Sequence, residues 1–175
     1  MASFDQAFEK TLGHEGGFVD DPSDSGGATR FGITEKVAKE YGYKGEMKVL
    51  PMEFAKIVYK KGYWDQMKLD NVVTQGVADE LFDTGVNCGT GTAGKICQRS
   101  LNLLNQLGTL WPDIPVDGAV GLGTTAAINK CCSISPAYAL ALIKTLNALQ
   151  VAYYAEVAER NPKNERFFRG WLTRG

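Results

Sequence analysis

No stretch of six or more residues in this chain alternates apolar and polar positions with β-branched side chains. A chain without such runs has little material for a sheet. Its apolar residues recur instead at three- and four-residue spacing, the period of a helix that buries one face. The expected fold class is therefore mostly α, with short β pieces confined to two irregular loops. With 175 residues, 44 % of them hydrophobic and 22 % charged, the composition is that of an ordinary globular protein. A chain of that length buries enough surface to fold without staples.

Helix signals punctuate most of the chain. Residues 3–15 read as an amphipathic helix, with Ser3 as N-cap, Asp5 in the first turn, Phe4, Phe8 and Leu12 on one face, and Gly16-Gly17 as the stop. Residues 16–33 hold five glycines, one proline and three aspartates, a long turn-rich loop with room for a hairpin around Phe18 and Phe31. Loops of this length inside a domain are usually functional. Thr34-Glu35 opens a helix through Glu40, ended at Gly42. A third helix covers 50–61 with Pro51 near its start, and Gly62-Tyr63-Trp64-Asp65 is expected to break it. A fourth runs over 72–87 with Val73, Val77, Leu81 and Gly85 on one face, and a fifth over 91–106. After an irregular stretch at 108–123, short helices follow at 124–132. Ser135-Pro136 opens a long apolar helix to Arg160, where Asn161-Pro162 stops it. The basic, aromatic segment from Glu165 reads as a tail. Any domain boundary falls near 88–94, rich in small residues.

Charge and rare residues exclude several functions. Nineteen basic against twenty acidic residues leave a net charge of −1, which argues against a globally basic nucleic-acid binder. No run of 18 apolar residues is present, so no membrane span is expected. The first residues carry acids where a signal peptide needs a basic start and an apolar core. Synthesis in the cytoplasm without a signal peptide is the expectation. His14 is the single histidine, which excludes two-histidine zinc sites. It has no G-x-S-x-G partner for a serine triad. Cys88, Cys97, Cys131 and Cys132 form no C-x-x-C pair, and neighbouring Cys131 and Cys132 point different ways on a helix. Buried thiols are the plain reading, with a Cys88–Cys132 or Cys97–Cys131 bridge left open.

Three residues stand out for chemistry. With Phe4, Phe8 and Leu12 at about 0°, 40° and 80° around a helix, Glu15 falls near 20°, inside the apolar stripe. Desolvation there would raise its pKa and keep it protonated, which a general acid requires. The competing reading is a carboxylate solvated where the helix frays. Asp24 follows with eight residues between, and Thr29 with four more between. A glycine-rich loop folding back would bring acid, carboxylate and hydroxyl around one cleft, the pairing used on glycosidic bonds. An Asx turn at Asp24 and a turn hydroxyl at Thr29 are the bland alternatives. A calcium loop built on Asp20, Asp21 and Asp24 fits poorly, because the EF-hand spacing and its closing glutamate are missing. Asp83 either faces a cleft or caps a turn. Tyr63 and Trp64 either stack on sugar faces or pack in the core. Asp117, Gly118, Gly121 and Thr124 form a turn opening a helix, with plain capping as the simplest role.

The string from His14 to Thr34, HEGGFVDDPSDSGGATRFGIT, resembles the signature of the glycoside hydrolase 108 family of N-acetylmuramidases, which includes phage endolysins and secretion-associated muramidases. The resemblance continues at Tyr63-Trp64-Asp65, at residues 81–89, at the V-D-G-A-V-G-L-G-T turn of residues 116–124, and at the Gly170-Trp171-Leu172-Thr173-Arg174 ending, where the family has Asn in place of Thr173. It implies a lysozyme-like helical fold and cleavage of the β-1,4 bond between N-acetylmuramic acid and N-acetylglucosamine. Glu15 would be the catalytic acid, with Asp24 and Thr29 beside it as in phage-type lysozymes, though with one residue fewer between those two. Tyr63, Trp64, Asp83 and Asn87 would line the substrate site. Residues 1–90 would form the catalytic region and 91–175 a helical peptidoglycan-binding-like region, packed as one unit. The expected partner is the peptidoglycan glycan strand, with no nucleic acid, no cofactor and no metal, and a monomer acting on the cell wall after release or export. A lytic transglycosylase and a non-catalytic wall-binding module are the rival readings.

Overall fold

The structure, a computed structural model, describes residues 1–12, 17–19 and 27–173. It is mostly α, as expected. Helices α1 (Phe4–Leu12), α2 (Glu35–Glu40), α3 (Met52–Tyr59), α4 (Gln75–Cys88), α5 (Thr90–Leu104), α6 (Leu122–Ile134), α7 (Pro136–Arg160) and α8 (Glu165–Leu172) surround one continuous core. A small antiparallel sheet of two-residue strands, β1 (Phe18–Val19), β2 (Thr29–Arg30) and β3 (Ile33–Thr34), sits between α1 and α2. Phe18 faces Arg30, and Thr29 faces both Val19 and Thr34, so the hairpin expected around Phe18 and Phe31 is present with a third strand added.

The start of α1 is held on α4. Ser3 Oγ accepts from Gln6 N at 3.5 Å, a long N-cap bond. Ser3 N donates to Gln75 Oε1 at 2.6 Å, and Gln75 Nε2 donates back to Ser3 O at 3.0 Å. This reciprocal pair fixes the helix entry by satisfying backbone groups that a helix end leaves open. Phe4 then packs edge-on against Trp64 and Phe82, and Phe8 against Tyr59. Those rings form an aromatic block between α1, α4 and the chain after α3.

That chain differs from expectation. The third helix does not break at Gly62; it passes from α3 into a π turn over Lys60–Trp64. Asp65 N donates to Lys60 O at 2.8 Å, the five-residue step of a π turn. Lys60 bonds Asp65 at 2.6 Å and Asp70 at 3.3 Å, pinning the turn from outside. The fourth helix begins at Gln75 instead of residue 72, and Val73 is exposed instead of lying on an apolar face. The sixth begins at Leu122, two residues before the expected start. The tail after Asn164 is a helix, α8. Its Phe167 and Trp171 stack four residues apart and give it a face to bury.

Helix α7 has the predicted limits. Ser135 Oγ accepts from Tyr138 N, Pro136 occupies the first turn, and Asn161 ends the helix. Its buried residues are Leu142, Leu146, Gln150, Tyr154 and Ala158, every fourth position. That stripe packs on α4, α5, α6 and α8. The stripe turns from leucine to polar side chains at Gln150, and there the core gives way to a cleft. All four cysteines are free thiols, so neither candidate bridge is formed. Among the described residues, no helix is long and apolar enough to cross a membrane.

Candidate active site

A cleft of about 710 Å³ opens between the end of α1, the end of α4, the π turn, α7 and α8. Its size falls in the ordinary range for a ligand site. Lys10, Thr11 and Leu12 bring the last turn of α1 to it, and Asp83, Val86, Asn87 and Cys88 supply the α4 side. Tyr59 and Tyr63 stand on one wall, stacked at 5.6 Å. Tyr153, Tyr154 and Trp171 stand on the other, with the Tyr154 and Trp171 rings 5.5 Å apart. Two aromatic walls over a polar floor suit a sugar chain, whose ring faces are apolar and whose rims carry hydroxyls.

The walls are built rigidly. Tyr59 is buried, and its hydroxyl donates to Phe31 O at 3.0 Å, tying the π-turn region to the small sheet. Gly32 follows at φ +72°, and a Cβ there would come within 2.7 Å of the Tyr59 hydroxyl. Glycine is thus required twice at this position, for backbone sign and for space. Burial pushes the Tyr59 hydroxyl well above its usual range, and Tyr63 is raised by burial with a smaller push from Tyr41. Both stay neutral donors.

The floor is acidic. Asp83 Oδ2 accepts from Asn87 Nδ2 at 2.9 Å. Burial raises the Asp83 carboxyl, while Asn87, Gln150, Thr11 and Lys10 pull it down. One turn earlier on the same face of α4 lies Glu80. Its carboxyl is pushed up to about 7, first by burial and then by the Asp83 charge, against the pull of Lys10 and Asn147. The Asn147 amide, oriented with its nitrogen toward Glu80, donates to Oε1 and, at 2.9 Å, to Oε2. Asp79 completes the row, accepting from Gln75 Nε2 at 2.6 Å and facing Lys10 Nζ at 3.8 Å. Of these three α4 acids, Asp83 alone lines the cleft.

The sequence candidates divide. Tyr63, Asp83 and Asn87 meet in the cleft. Trp64 does not: it is fully buried, and its Nε1 donates to Asp70 Oδ1 at 2.7 Å, so it offers no face to a sugar. The π turn rotates it into the aromatic block, leaving Tyr63 to face the cleft. Thr29 sits half-buried in β2 and is not among the described lining residues. Glu15 and Asp24 lie outside the described residues, as do Asp20 and Asp21. The sequence reading missed Tyr153, Tyr154 and Trp171 in the cleft, and the raised Glu80 carboxyl one turn from Asp83. A Tyr-Tyr pair near the end of a helix whose other face is leucine, and a Trp on a tail of helical period, were the available signals. The turn at Asp117 is structural: Asp117 Oδ1 accepts from Gln98 Nε2 and from Ala119 N, both at 2.8 Å, and Gly118 N donates to Gln98 Oε1 at 2.8 Å. Among the described residues, no three His, Cys, Asp or Glu side chains gather as a metal site.

Two family models match the chain in succession. Glycosyl hydrolase 108 matches residues 8–89, and Predicted Peptidoglycan domain matches residues 92–175. Among solved structures the chain is similar to SagA of Brucella abortus, with 27 % identity and a TM-score of 0.70, covering 98 % of this chain and 88 % of that one. Comparison with curated proteins finds no match. The cleft takes its walls from both matched segments, and the match of one segment to Glycosyl hydrolase 108 and of the other to a peptidoglycan domain supports a glycoside hydrolase acting on peptidoglycan.

Proposed function

We propose that the protein hydrolyses the β-1,4 bond between N-acetylmuramic acid and N-acetylglucosamine, with Glu15 as general acid. The observation that carries this reading is the cleft, whose lining joins aromatic walls and a polar floor with Leu12 at the end of α1. Leu12 is three residues before Glu15, and three residues of chain span at most about 11 Å. Glu15 gives its proton to the glycosidic oxygen as the bond to the anomeric carbon breaks. Water adds to that carbon, its own proton passing to a base, and the product ends in a reducing N-acetylmuramic acid. Asp24 and Thr29 are assigned to steering that water, and Tyr63, Asp83 and Asn87 to holding the glycan. Residues 1–90 carry the chemistry in this reading, and 91–175 complete the cleft. The chain works as a monomer, made in the cytoplasm and acting at the wall after release or export.

The test is mass spectrometry of muropeptides released from purified walls, before and after borohydride reduction. Reducible N-acetylmuramic acid ends are expected, and Glu15→Gln is expected to lower their release by roughly 10²-fold or more while the protein stays folded. Anhydro ends from the unaltered protein would show a lytic transglycosylase. Normal release by folded Glu15→Gln would remove Glu15 from the mechanism, and release from neither would leave a wall-binding module.

A further inference from the structure

Charge is divided unevenly along the chain. Residues 1–90 hold fifteen acidic and ten basic side chains, and residues 91–175 hold five acidic and nine basic. The near-neutral total therefore covers an acidic half and a basic half, an asymmetry that goes with binding to an anionic surface. Much of the basic excess is gathered in one place. Arg160 ends α7, Lys163 lies in the single turn Pro162–Asn164, and Arg166 and Arg169 lie on α8.

Lys163, Arg166 and Arg169 are exposed and recur every third residue through that turn and α8. Side chains three apart on a helix share a face. Phe168 and Trp171 are half-buried, and Trp171 packs on Tyr154 of α7, which leaves the cationic stripe on the solvent side. Arg160 is taken by Glu156 at 3.1 Å. Among the described residues, Lys163, Arg166 and Arg169 form no ion pair, and Glu165, the acid of α8, pairs with none of them. The fold gains nothing from this arrangement. Neighbouring like charges on a helix repel, and cations at the start of α8 oppose its dipole. Apolar surface borders the stripe: Phe167 is 46 % exposed, with the Arg166 guanidinium 4.5 Å over its ring, and Leu172 is also exposed.

We propose that the outer face of α8 is a docking surface for a bilayer that carries anionic phospholipid. Lys163, Arg166 and Arg169 meet the headgroup phosphates, while Phe167 and Leu172 rest at the boundary between headgroups and acyl chains. A nucleic acid would use the same cations but leave Phe167 and Leu172 in water, so the bilayer is the better complement. The apolar face of α8 is already spent on α7, so the contact is shallow, reversible and sensitive to salt. The same helix carries Trp171 into the cleft, and docking through it holds the far wall of the cleft close to the membrane.

The test is co-sedimentation of the full chain with vesicles of phosphatidylcholine alone or mixed with an equal part of phosphatidylglycerol. Binding to the anionic vesicles is expected to be on the order of 10²-fold stronger at low salt, and to fall to the neutral level near about 1 M salt. Combined Lys163→Gln, Arg166→Gln and Arg169→Gln is expected to weaken anionic binding by at least about ten-fold, whereas Arg166→Lys with Arg169→Lys stays within about two-fold. Lysis of purified, lipid-free walls by the glutamine protein is expected to be unchanged, since none of the three residues lines the cleft. Equal binding to both vesicles, or full anionic binding by the glutamine protein, would overturn the inference. So would a glutamine protein that loses as much affinity for a single-stranded oligonucleotide or for purified walls as for vesicles, because the stripe would then serve another polyanion.

Discussion

Glu80 keeps its proton to about pH 7 because it is buried one turn from Asp83, and the single bond set offered by Asn147 does not offset that. A carboxyl whose folded pKa lies above its unfolded value stabilises the fold fully below the unfolded pKa. That contribution is lost as pH rises through the folded pKa, here between about 4.5 and 7. Glu80→Gln, which keeps an acceptor for Asn147 and carries no charge, is expected to gain on the order of 1–2 kcal/mol at pH 8, discounted for partial solvent screening, and almost nothing at pH 4. Thermal melts of both proteins at the two pH values check this, since a shift of equal size at both would remove the ionisation from the account. Residue identity alone does not reveal such a group. Asp83 and Glu80 are both acids on a helix with apolar neighbours, and only the approach of α7 distinguishes a buried carboxyl from a solvated one. Tyr63 and Trp64 make the same point: the two aromatics are adjacent, and the π turn decides which is core and which is cleft.

The elements most legible in the sequence are those that carry their own punctuation. Thr34 caps α2, and Ser135-Pro136 and Asn161-Pro162 bracket α7 at its observed limits. Where boundaries depend on partners, legibility falls. Helix α4 starts at Gln75 because Gln75 is tied to Ser3, 72 residues earlier in the chain. The Asp117 turn takes its form from Gln98, a buried amide whose two ends grip Asp117 and Gly118. That grip presses the turn onto α5, where a Cβ on Gly94 would collide with the Gly118 carbonyl. Gly94→Ala is therefore expected to cost about 1–3 kcal/mol despite alanine's better helix propensity. Urea unfolding measures it, and a stabilised Gly94→Ala protein would mean the turn is not held as close as described. Gln98→Leu is expected to cost a similar amount, since it strands the Gly118 donor and releases Asp117.

At the scale of the whole molecule, the cleft is the joint product of both matched segments. Its acidic floor comes from α4 and its far wall from α7 and α8, so the tail that reads as an appendage in sequence carries Trp171 into the site. Trp171→Ala is expected to lower wall lysis by about ten-fold while shifting the melting temperature by only a few degrees, because α8 buries no residue fully. A loss of folding in step with activity would make Trp171 a prop instead of a wall. Chelation is expected to leave lysis unchanged. Inactivation by EDTA with recovery on calcium would make Asp20, Asp21 and Asp24 a cation site.

The four free thiols have a use that follows from where they lie. Cys97 is fully buried, with its thiol pushed up to about 12, and Cys131 is raised to about 11, so neither reacts while the structure is closed. Cys88 stands at the edge of the cleft, half-buried beside Tyr154. The molecule thus contains two internal clocks. Alkylation of Cys97 counts openings of the entire core, and alkylation of Cys88 counts movements at the mouth of the cleft, so a bound glycan strand should slow the second clock by more than the first.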